Sequence, residues 1–299
     1  MNSFDVCVVG QIVKDYNFLP LKKEKGFVKS PGGTAFYSTH AYHLLGLKTA
    51  VLTSFNNNDI FSLTPDFGNG KISIFNNVNA TTTEFRNFYR KNKLNFRFQE
   101  AIFNNRPVSG KLVKAKIYHF GPLILNDIDV KLYQAVKKLN GLKVLDIQGL
   151  NRSIRKKKII EKRNTKIKKF LKNFNILKCD AKELHLIKNA KDKYRIINYL
   201  FDLGLSEVIV TKGFFGSTIY SKSEGKINIP SFIPTKIIDS TGCGDTYTAI
   251  YSYARLKKYS VYHSGLLASA GSGMKTEKTG PLYNSFKMIK KRVETICKI

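Results

Sequence analysis

The sequence predicts an α/β protein whose mostly parallel sheet is covered by helices on both faces. From residue 115 onward, short apolar runs alternate with segments of helical periodicity, which is typical of β/α units. The opening run "FDVCVV" is apolar at nearly every position, as strands buried on both faces are. With 299 residues, of which 42% are hydrophobic, the chain can bury a deep core.

The first hundred residues contain the opening α/β elements and then a different pattern. A strand is expected at 4–10, a helix at 34–46 that a glycine stops, and a strand at 48–55. Residues 56–70 carry turn residues and little periodicity, which indicates a loop. Residues 71–103 alternate apolar and polar positions and contain many Thr, Phe and Tyr. That alternation predicts a small inserted sheet of antiparallel strands.

The β/α rhythm resumes at residue 115. Strands are expected at 115–121, 142–149, 175–179, 206–213, 217–221, 226–232 and 235–239. Helices are expected at 127–141, 155–170, 181–189 and 192–204, and from Gly242 onward. No repeat or low-complexity linker divides the chain, so a single domain over residues 1–299 is expected.

The net charge of +30 is the unusual bulk property of the chain. Its densest basic run, "RKKKIIEKRNTKIKKF" at 155–170, places apolar residues near helical spacing. We therefore expect an amphipathic helix with a solvated cationic face. A contact with a polyanion is the alternative, and a nucleic-acid-binding protein would use the same cations with strongly salt-dependent affinity.

Targeting and redox signals point to the cytoplasm. The longest apolar stretches are shorter than the roughly 18 to 20 residues that a bilayer crossing needs. The N-terminal "MNSFDVCVVG" has an acid where a secretory signal would carry positive charge. The four cysteines are far apart and lack the spacing of a zinc site or a disulfide framework. We therefore expect reduced thiols, a cytoplasmic protein and no membrane partner.

The stretch "STGCGD" at 240–245 joins an expected strand to an expected helix. The first amides of a helix lack intrahelical partners and attract anions, and glycines let a ligand approach the backbone closely. The pattern therefore indicates a site for a phosphate or another oxyanion. A plain glycine turn with an aspartate cap is the alternative.

Asp245 favours the functional interpretation. A carboxylate beside an anion site would repel phosphate, unless it takes the proton of a hydroxyl that attacks that phosphate. Phosphoryl transfer needs such a base together with donors around the migrating group. The sequence has neither a Walker A loop nor a G-x-G-x-x-G motif, which excludes P-loop and protein kinases as models.

Two separated motifs carry a family resemblance. "DSTGCGD" resembles the C-terminal signature of the PfkB, or ribokinase-like, carbohydrate kinases, and "SPGGTAFYSTHAYHLLGLKTAVLTS" at 30–54 resembles their N-terminal signature. "HFGPLILNDI" with "VLDIQG" is similar to the branch that contains inositol kinase-like members. The resemblance implies a ribokinase-like three-layer α/β/α sandwich with a mostly parallel central sheet and a small β-sheet lid. The lid strands would be inserted at about 12–30 and 72–104.

The same resemblance implies a role for individual residues. Asp245 would be the catalytic base, with Gly242, Cys243 and Gly244 as the anion hole. Asp15, Gly32 and Gly33 would bind substrate hydroxyls, since a carboxylate can accept from two vicinal hydroxyls. Lys212, Gly213, Gly216 and Thr241 would bind the nucleotide. Glu183 and Asp180 would hold Mg²⁺ through water, with Asp180 standing where the family has asparagine; a simple helix cap is the alternative for Asp180.

Together these features predict an ATP-dependent kinase that phosphorylates a hydroxyl of a sugar or polyol. ATP and Mg²⁺ are the expected cofactors, and the lid would close to exclude water. A nucleoside kinase of the adenosine type is the nearest alternative. A sugar sensor without turnover would not need the base Asp245. Lid sheets can pair between subunits, so a homodimer through the lid is left open.

Overall fold

The computed structural model describes residues 3–18, 26–63, 67, 72–90, 93–103, 106–190, 192–234 and 236–297. The strands in these ranges are β1 (Phe4–Val9), β2 (Val13–Phe18), β3 (Val28–Gly32), β4 (Thr49–Thr53), β5 (Ile72–Asn76), β6 (Glu84–Arg90), β7 (Lys93–Ile102), β8 (Ala115–Phe120), β9 (Leu142–Asp146), β10 (Arg152–Arg155), β11 (Lys158–Glu161), β12 (Ile176–Asp180), β13 (Glu207–Thr211), β14 (Ser217–Ser221) and β15 (Gly225–Ile229). The α-helices are α1 (Thr34–Leu44), α2 (Ile60–Leu63), α3 (Val130–Ala135), α4 (Lys168–Leu171), α5 (Ala181–Ile187), α6 (Lys193–Asp202), α7 (Cys243–Leu256), α8 (Val261–Lys275) and α9 (Phe286–Cys297).

The large sheet confirms the expected mostly parallel arrangement. Its described strands lie in the order β15-β14-β13-β12-β9-β8-β1-β4-β5. Every neighbouring pair from β13 to β5 is parallel. The strands β14 and β15 run antiparallel at one edge. A long parallel core of this kind needs helices on both faces.

Alternate residues of β1 enter two separate cores. Val6 and Val8 are fully buried in a cluster with residues of α1, α7 and α8. Cys7 and Val9 are buried in a second cluster with residues of α3, α5 and α6. Successive side chains of a strand point to opposite faces, so the two clusters define one helical layer on each side of the sheet. The result is the expected three-layer α/β/α sandwich.

The small sheet contains six described strands in the order β10-β11-β7-β6-β2-β3. Its neighbours are antiparallel except for β2 and β6, which are parallel. Val13, Phe85 and Ala101 of this sheet pack against Leu123 and Ile124, which follow β8. The small sheet therefore lies over the carboxyl ends of the parallel strands, where α/β proteins form their sites.

The expected start of the second lid segment at about residue 72 is wrong. The strand β5 pairs in parallel with β4, from Thr49 opposite Ile72 to Thr53 opposite Asn76, and so belongs to the large sheet. Ile72 is buried in the core beneath it. Alternation identifies a strand but does not specify its partner, so the small sheet begins again only at Glu84.

The amphipathic helix expected at 155–170 is also wrong. The strands β10 and β11 form an antiparallel hairpin whose turn, Lys156 and Lys157, has φ values of 48° and 64°. Two left-handed residues are the mark of a tight hairpin turn, which lysine seldom occupies. Ile154 lies opposite Ile159, and both pack against the small sheet. Contact with the edge of β7 therefore decides the structure, and only the short α4 is helical.

The strand expected at 235–239 is absent over residues 236–239, and Thr235 lies outside the described residues. The amides of Ile238 and Asp239 instead donate to the carbonyl of Thr276, at 2.8 and 3.2 Å. This segment is therefore attached to the end of α8 and not to a sheet edge.

None of the described helices combines the length and the apolar character that a bilayer crossing requires.

Candidate active site

The helix α7 begins after Gly242, which has a φ of 78° in the left-handed region. A Cβ at Gly242 would lie 2.2 Å from the ring of Tyr37, so both backbone conformation and space demand glycine. The residues Gly242–Gly244, here called the glycine turn, form the start of a 14-residue helix whose first amides lack intrahelical acceptors.

Gly244 lies beside a lysine that the sequence analysis missed. A Cβ at Gly244 would lie 2.9 Å from Nζ of Lys178. Lys178 belongs to β12 and is only 7% exposed. Glycine here therefore lets a buried ammonium reach the glycine turn. A lysine inside the apolar run "ILKC" was the sequence signal that could have identified it.

Lys178 forms a buried ion pair with Asp146, the last residue of β9. Its Nζ lies 2.8 Å from Oδ2 of Asp146. Burial acts to lower the pKa of Lys178, but Asp146, Glu183 and Asp245 outweigh burial and hold the pKa above its usual range. The side chain is therefore a permanent cation at the helix start, where it reinforces attraction for anions.

Asp245 lies in the first turn of α7 and faces a small pocket of about 40 Å³. The pocket also contains Asp15 and Gly33, so the structure brings together three residues that are distant in sequence. Gly32 does not line it, although Gly32 adjoins Asp15 in the small sheet. Two carboxylates and the glycine turn thus converge on one cavity.

Gly32 and Gly33 make room for Asp15 and for the chain beside it. A Cβ at Gly32 would lie 2.0 Å from Oδ2 of Asp15, and Asp15 is 4% exposed. Gly33 has a φ of 87°, and a Cβ there would lie 2.4 Å from the carbonyl oxygen of Gln11. The double glycine therefore holds the Asp15 carboxylate against the backbone that precedes α1.

Arg152, Gln148 and Gln99 also line the small pocket and were not identified from the sequence. The Arg152 side chain is 10% exposed, and its Nη2 lies 3.4 Å from Glu161 and 3.9 Å from Glu183. Gln99 donates to Oδ1 of Asn87 at 2.7 Å. These residues come from strands and turns whose pairing local sequence does not reveal.

A larger cleft of about 660 Å³ lies on the other side of the glycine turn. Lys212, Gly213 and Gly216 line it, as do Cys243 and Gly244. Gly216 has a φ of 78°, and a Cβ there would lie 2.2 Å from the carbonyl oxygen of Ile229. All five residues were assigned to nucleotide or anion binding from the sequence, and the fold brings them to one cleft.

The positions of Lys212 and Thr241 differ from those expected for nucleotide-binding residues. Nζ of Lys212 donates to Oγ1 of Thr218 at 2.6 Å, which directs the ammonium along β14. Thr241 lines the small pocket and not the large cleft, and its amide donates to Oδ1 of Asp239 at 2.9 Å. Thr241 therefore adjoins the glycine turn on the side of the small pocket.

Asp180 and Glu183 form a capping box at the start of α5. Asp180 accepts from the amides of Lys182 and Glu183, and Glu183 accepts from the amide of Asp180 at 2.8 Å. Asp180 also lines the large cleft. Burial, opposed by Lys178, raises the pKa of Glu183 to about 7. The capping box alone explains the positions of both carboxylates. Asp180 in addition places a hard oxygen ligand at the large cleft.

The described residues contain no group of three or more His, Cys, Asp or Glu side chains arranged around a metal position. Magnesium keeps several waters and often binds one or two carboxylates with substrate phosphates. Asp180 lines the large cleft, and Glu183 lies behind it. These two carboxylates suit a magnesium ion that contacts the protein through water, and they do not form a closed cage around a metal.

Cys243 is a structural residue of the glycine turn. Burial raises the pKa of its thiol to about 11, with Lys275 acting in the opposite direction. The thiol therefore stays protonated and weakly nucleophilic near neutral pH. The side chain of Cys243 is therefore suited to packing and not to reactivity.

Comparison with known proteins adds family information to this geometry. A family model described as pfkB family carbohydrate kinase matches residues 69–287. A nucleoside kinase of Methanocaldococcus jannaschii is 40% identical over 88 residues. Those residues are 28% of this chain and 29% of that relative, so the alignment spans less than a third of the relative's length.

Solved structures share the fold over almost the whole chain. A pyrophosphate-dependent kinase in the ribokinase family, complexed with a pyrophosphate analog and myo-inositol, has a TM-score of 0.80 at 20% identity and covers 97% of this chain and 99% of its own. Arabidopsis thaliana ribokinase, complexed with ribose and ATP, has a TM-score of 0.74 at 17% identity over 98% and 99% of the chains. The Methanocaldococcus jannaschii nucleoside kinase structure has a TM-score of 0.71 at 21% identity over 99% of each chain. The ribokinase-like fold is thereby confirmed.

Proposed function

Since the chain belongs to the pfkB family of carbohydrate kinases, we propose that it transfers a phosphoryl group from ATP to a hydroxyl of a sugar or polyol. One observation carries the proposal: the glycine turn separates the small pocket from the large cleft, and Gly242 lines the first while Gly244 lines the second. Donor phosphate on one side and acceptor hydroxyl on the other would meet at the amides of one helix start.

Asp245 is the general base of this proposal. It lines the small pocket at the first turn of α7, next to the place where the transferred phosphoryl group would lie. The carboxylate accepts the hydroxyl proton as the oxygen attacks the terminal phosphorus and the bond to the leaving phosphate breaks.

Charge on the migrating group is offset by the amides of Gly242 and Gly244 and by Lys178, since the amide of Cys243 donates to the carbonyl of Ser240. The ammonium lies within 2.9 Å of the position that a Cβ of Gly244 would occupy, so it faces the same point as the helix start. Preorganised donors and a permanent cation in a dry site stabilise developing charge without reorganisation.

The small pocket holds the acceptor. Asp15 accepts from vicinal hydroxyls, and Gln99, Gln148 and Arg152 supply further hydrogen-bonding groups on the walls. These polar groups on the walls favour a polyhydroxylated acceptor over a flat, apolar base.

The large cleft holds the nucleotide. Its volume suits a nucleotide, and the Phe215 ring at its rim is 88% exposed, which suits stacking on a base. The loop along the phosphates contains Lys212, Gly213 and Gly216. Thr241 would contact the nucleotide only from the small-pocket side of the glycine turn. Mg²⁺ held through water by Asp180, with Glu183 behind it, would offset charge on the donor phosphates.

The small sheet acts as a lid in this proposal, and two lids pair in a homodimer. Tyr16, Phe18, Phe27 and Phe88 form an aromatic cluster, with ring centroids of Phe18 and Phe88 4.4 Å apart. Phe27 is 48% exposed although its ring packs on Tyr16. Light scattering after gel filtration should show a dimer, and Phe27→Ser should shift it toward monomer; a monomeric parent protein would contradict the pairing.

A cytoplasmic location belongs to the same proposal. Among the described cysteines, Cys7 and Cys179 are buried free thiols, as expected for a reducing compartment.

A nucleoside acceptor is the alternative, supported by the match to the archaeal nucleoside kinase. A pyrophosphate donor is a second variation, supported by the names of three structural neighbours. The deciding experiment offers the purified protein ATP or pyrophosphate with a panel of pentoses, hexoses, inositols, nucleosides and hexose phosphates, and identifies products by mass spectrometry. We expect phosphorylated polyol with ATP; the absence of transfer to every hydroxyl acceptor with either donor would refute the proposal.

A further inference from the structure

Lys275, the last residue of α8, is fully buried: it is 1% exposed and its side chain is 0% exposed. Lysine is rarely buried unless its charge is paired. Its Nζ donates to the carbonyl oxygen of Asp239 at 3.0 Å and lies 3.6 Å from Oδ2 of the same residue. The ammonium also lies 5.4 Å from the centroid of the Tyr37 ring.

Both partners of Lys275 support the glycine turn. Asp239 is 2% exposed, and its Oδ1 accepts from the amide of Thr241 directly before the turn. The Tyr37 ring lies where a Cβ of Gly242 would stand. One ammonium thus contacts a carboxylate and an aromatic ring that hold the turn from two directions.

Backbone hydrogen bonds also join the end of α8 to the segment before the glycine turn. The amides of Ile238 and Asp239 donate to the carbonyl of Thr276, the neighbour of Lys275. The amide of Cys243 donates to the carbonyl of Ser240 at 3.3 Å. The end of α8 and the glycine turn are therefore joined through Asp239 by backbone and side chain together.

The charges have a consequence for anion binding. An unpaired Asp239 carboxylate near the glycine turn would oppose an approaching phosphate. Lys275 neutralises that carboxylate from the protein side without lining either cavity. Lys178 serves the same turn from β12, so two internal cations flank one helix start.

We infer that Lys275 is a positioning residue whose ammonium acts as a built-in cation, holding the glycine turn in its anion-binding geometry. The inference rests on the proposed function for its kinetic consequence, but the effect on anion binding does not require turnover. Lys275 donates to protein groups only and does not contact the reacting atoms.

The test compares Lys275→Ala and Lys275→Met with a matched control, Arg255→Met. Arg255 pairs with the buried carboxylate of Glu207 at 2.7 Å at the opposite end of α7, so its loss also removes a cation from a buried acid. For Lys275→Ala we expect kcat to fall about 10²-fold with a much smaller change in KM for the acceptor, since misplacement of a catalytic group by about 1 Å has such an effect. Arg255→Met should lose stability and keep its kcat.

Chemical rescue separates positioning from folding. The alanine variant has room for a small cation beside Asp239, so ammonium or methylammonium chloride should restore at least part of its kcat, while choline chloride should not. Lys275→Met fills the space and should not respond. An alanine variant whose kcat is unchanged, or one that ammonium leaves as impaired as choline does, would overturn the inference.

Anion binding provides a second test that does not depend on turnover. Calorimetric affinity for inorganic tripolyphosphate should weaken about tenfold in Lys275→Met, which keeps the buried stem and is the variant to use if Lys275→Ala does not fold. Arg255→Met should bind like the parent protein. Equal affinity in all three proteins would overturn the inference, whereas a parent protein that binds the anion but phosphorylates nothing would refute the proposed function alone.

Discussion

The large cleft and the small pocket meet at one helix start but differ in size, lining and support. The cleft measures about 660 Å³ and the pocket about 40 Å³. The cleft is formed by loops and helices attached to the large sheet. The pocket takes Asp15, Phe85 and Gln99 from the small sheet. Under the proposed function, the larger volume would permit variety in the donor, while polar groups from a separate layer would determine which acceptor fits.

The two sides also differ in how charge is arranged. The pocket contains the carboxylates Asp15 and Asp245, which suit hydroxyl groups. The glycine turn is backed by the ammonium groups of Lys178 and Lys275, which suit phosphate. Changing each group should therefore affect one side selectively.

Asp245→Asn should produce the largest loss, because it removes the proposed proton acceptor between the small pocket and the large cleft. We expect the protein to stay folded and kcat to fall about 10²- to 10⁴-fold, or roughly 3 to 5 kcal/mol of barrier. Steady-state kinetics with a circular dichroism control would measure it. Undiminished turnover would refute the assignment of the base.

Lys178→Met should reduce kcat/KM about 10²- to 10³-fold, since it removes a cation from the anion-binding side. It should also destabilise the fold, by about 3 to 5 kcal/mol, because Asp146 is left buried without its partner. The double variant Lys178→Met with Asp146→Leu is the control: it should regain stability and not activity. Recovery of both would show that Lys178 acts on folding only.

Asp15→Asn should affect the acceptor side alone. Loss of charge-assisted hydrogen bonds to hydroxyls should raise the KM for the acceptor about 10- to 100-fold and leave the KM for the donor near its original value. Both constants come from initial rates at varied concentrations of each substrate. A matching increase in the donor KM would contradict the separation of the two sides.

The smallest effect concerns pH and Asp127, which holds the turn that supplies Leu123 to the small pocket. Its Oδ2 accepts from the amides of Leu123 and Ile124 at 2.6 and 3.2 Å. Burial raises the pKa of Asp127 from 3.8 to about 7, because these hydrogen bonds only partly oppose the loss of solvation. The folded state therefore binds the proton more tightly than the unfolded state.

The sign of the pH effect follows from that difference. The stabilising contribution is complete below 3.8 and is lost as the pH rises to about 7, so Tm should fall over this interval. Asp127→Asn, which resembles the protonated acid, should flatten the Tm profile. A slope equal to that of the parent protein would contradict the raised pKa.

Local sequence predicted the layers of the fold and part of the candidate site. Runs such as "FDVCVV" and "EVIVT" are apolar at most positions because parallel strands are buried on both faces, and this pattern needs no knowledge of the partner strand. The glycine turn was recognisable because glycine beside a helix start has few local explanations. Asp15, Gly33 and Asp245 were predicted through the motifs that contain them, and they do share one pocket.

The errors occurred where a contact distant in sequence decided the outcome. The spacing of apolar residues in the run at 155–170 does not distinguish a helix from a strand. The first part of this run forms a hairpin because Lys158 pairs opposite Glu100 at the edge of β7. The strand β5 has the alternation of an inserted sheet, yet its partner is β4. Lys178, Lys275 and Arg152 were missed because each is an ordinary cation among 51 lysines and arginines until burial and a carboxylate partner single it out.

Sequence alone was enough to place most strands of the large sheet, the main helices and the glycine turn, because hydrophobic periodicity and backbone freedom are properties of a few adjacent residues. Only the tertiary structure decided which cations flank that turn and which polar groups close the small pocket. Those contacts join residues from different strands and helices, and the free energy that brings them together comes from burial of the whole core.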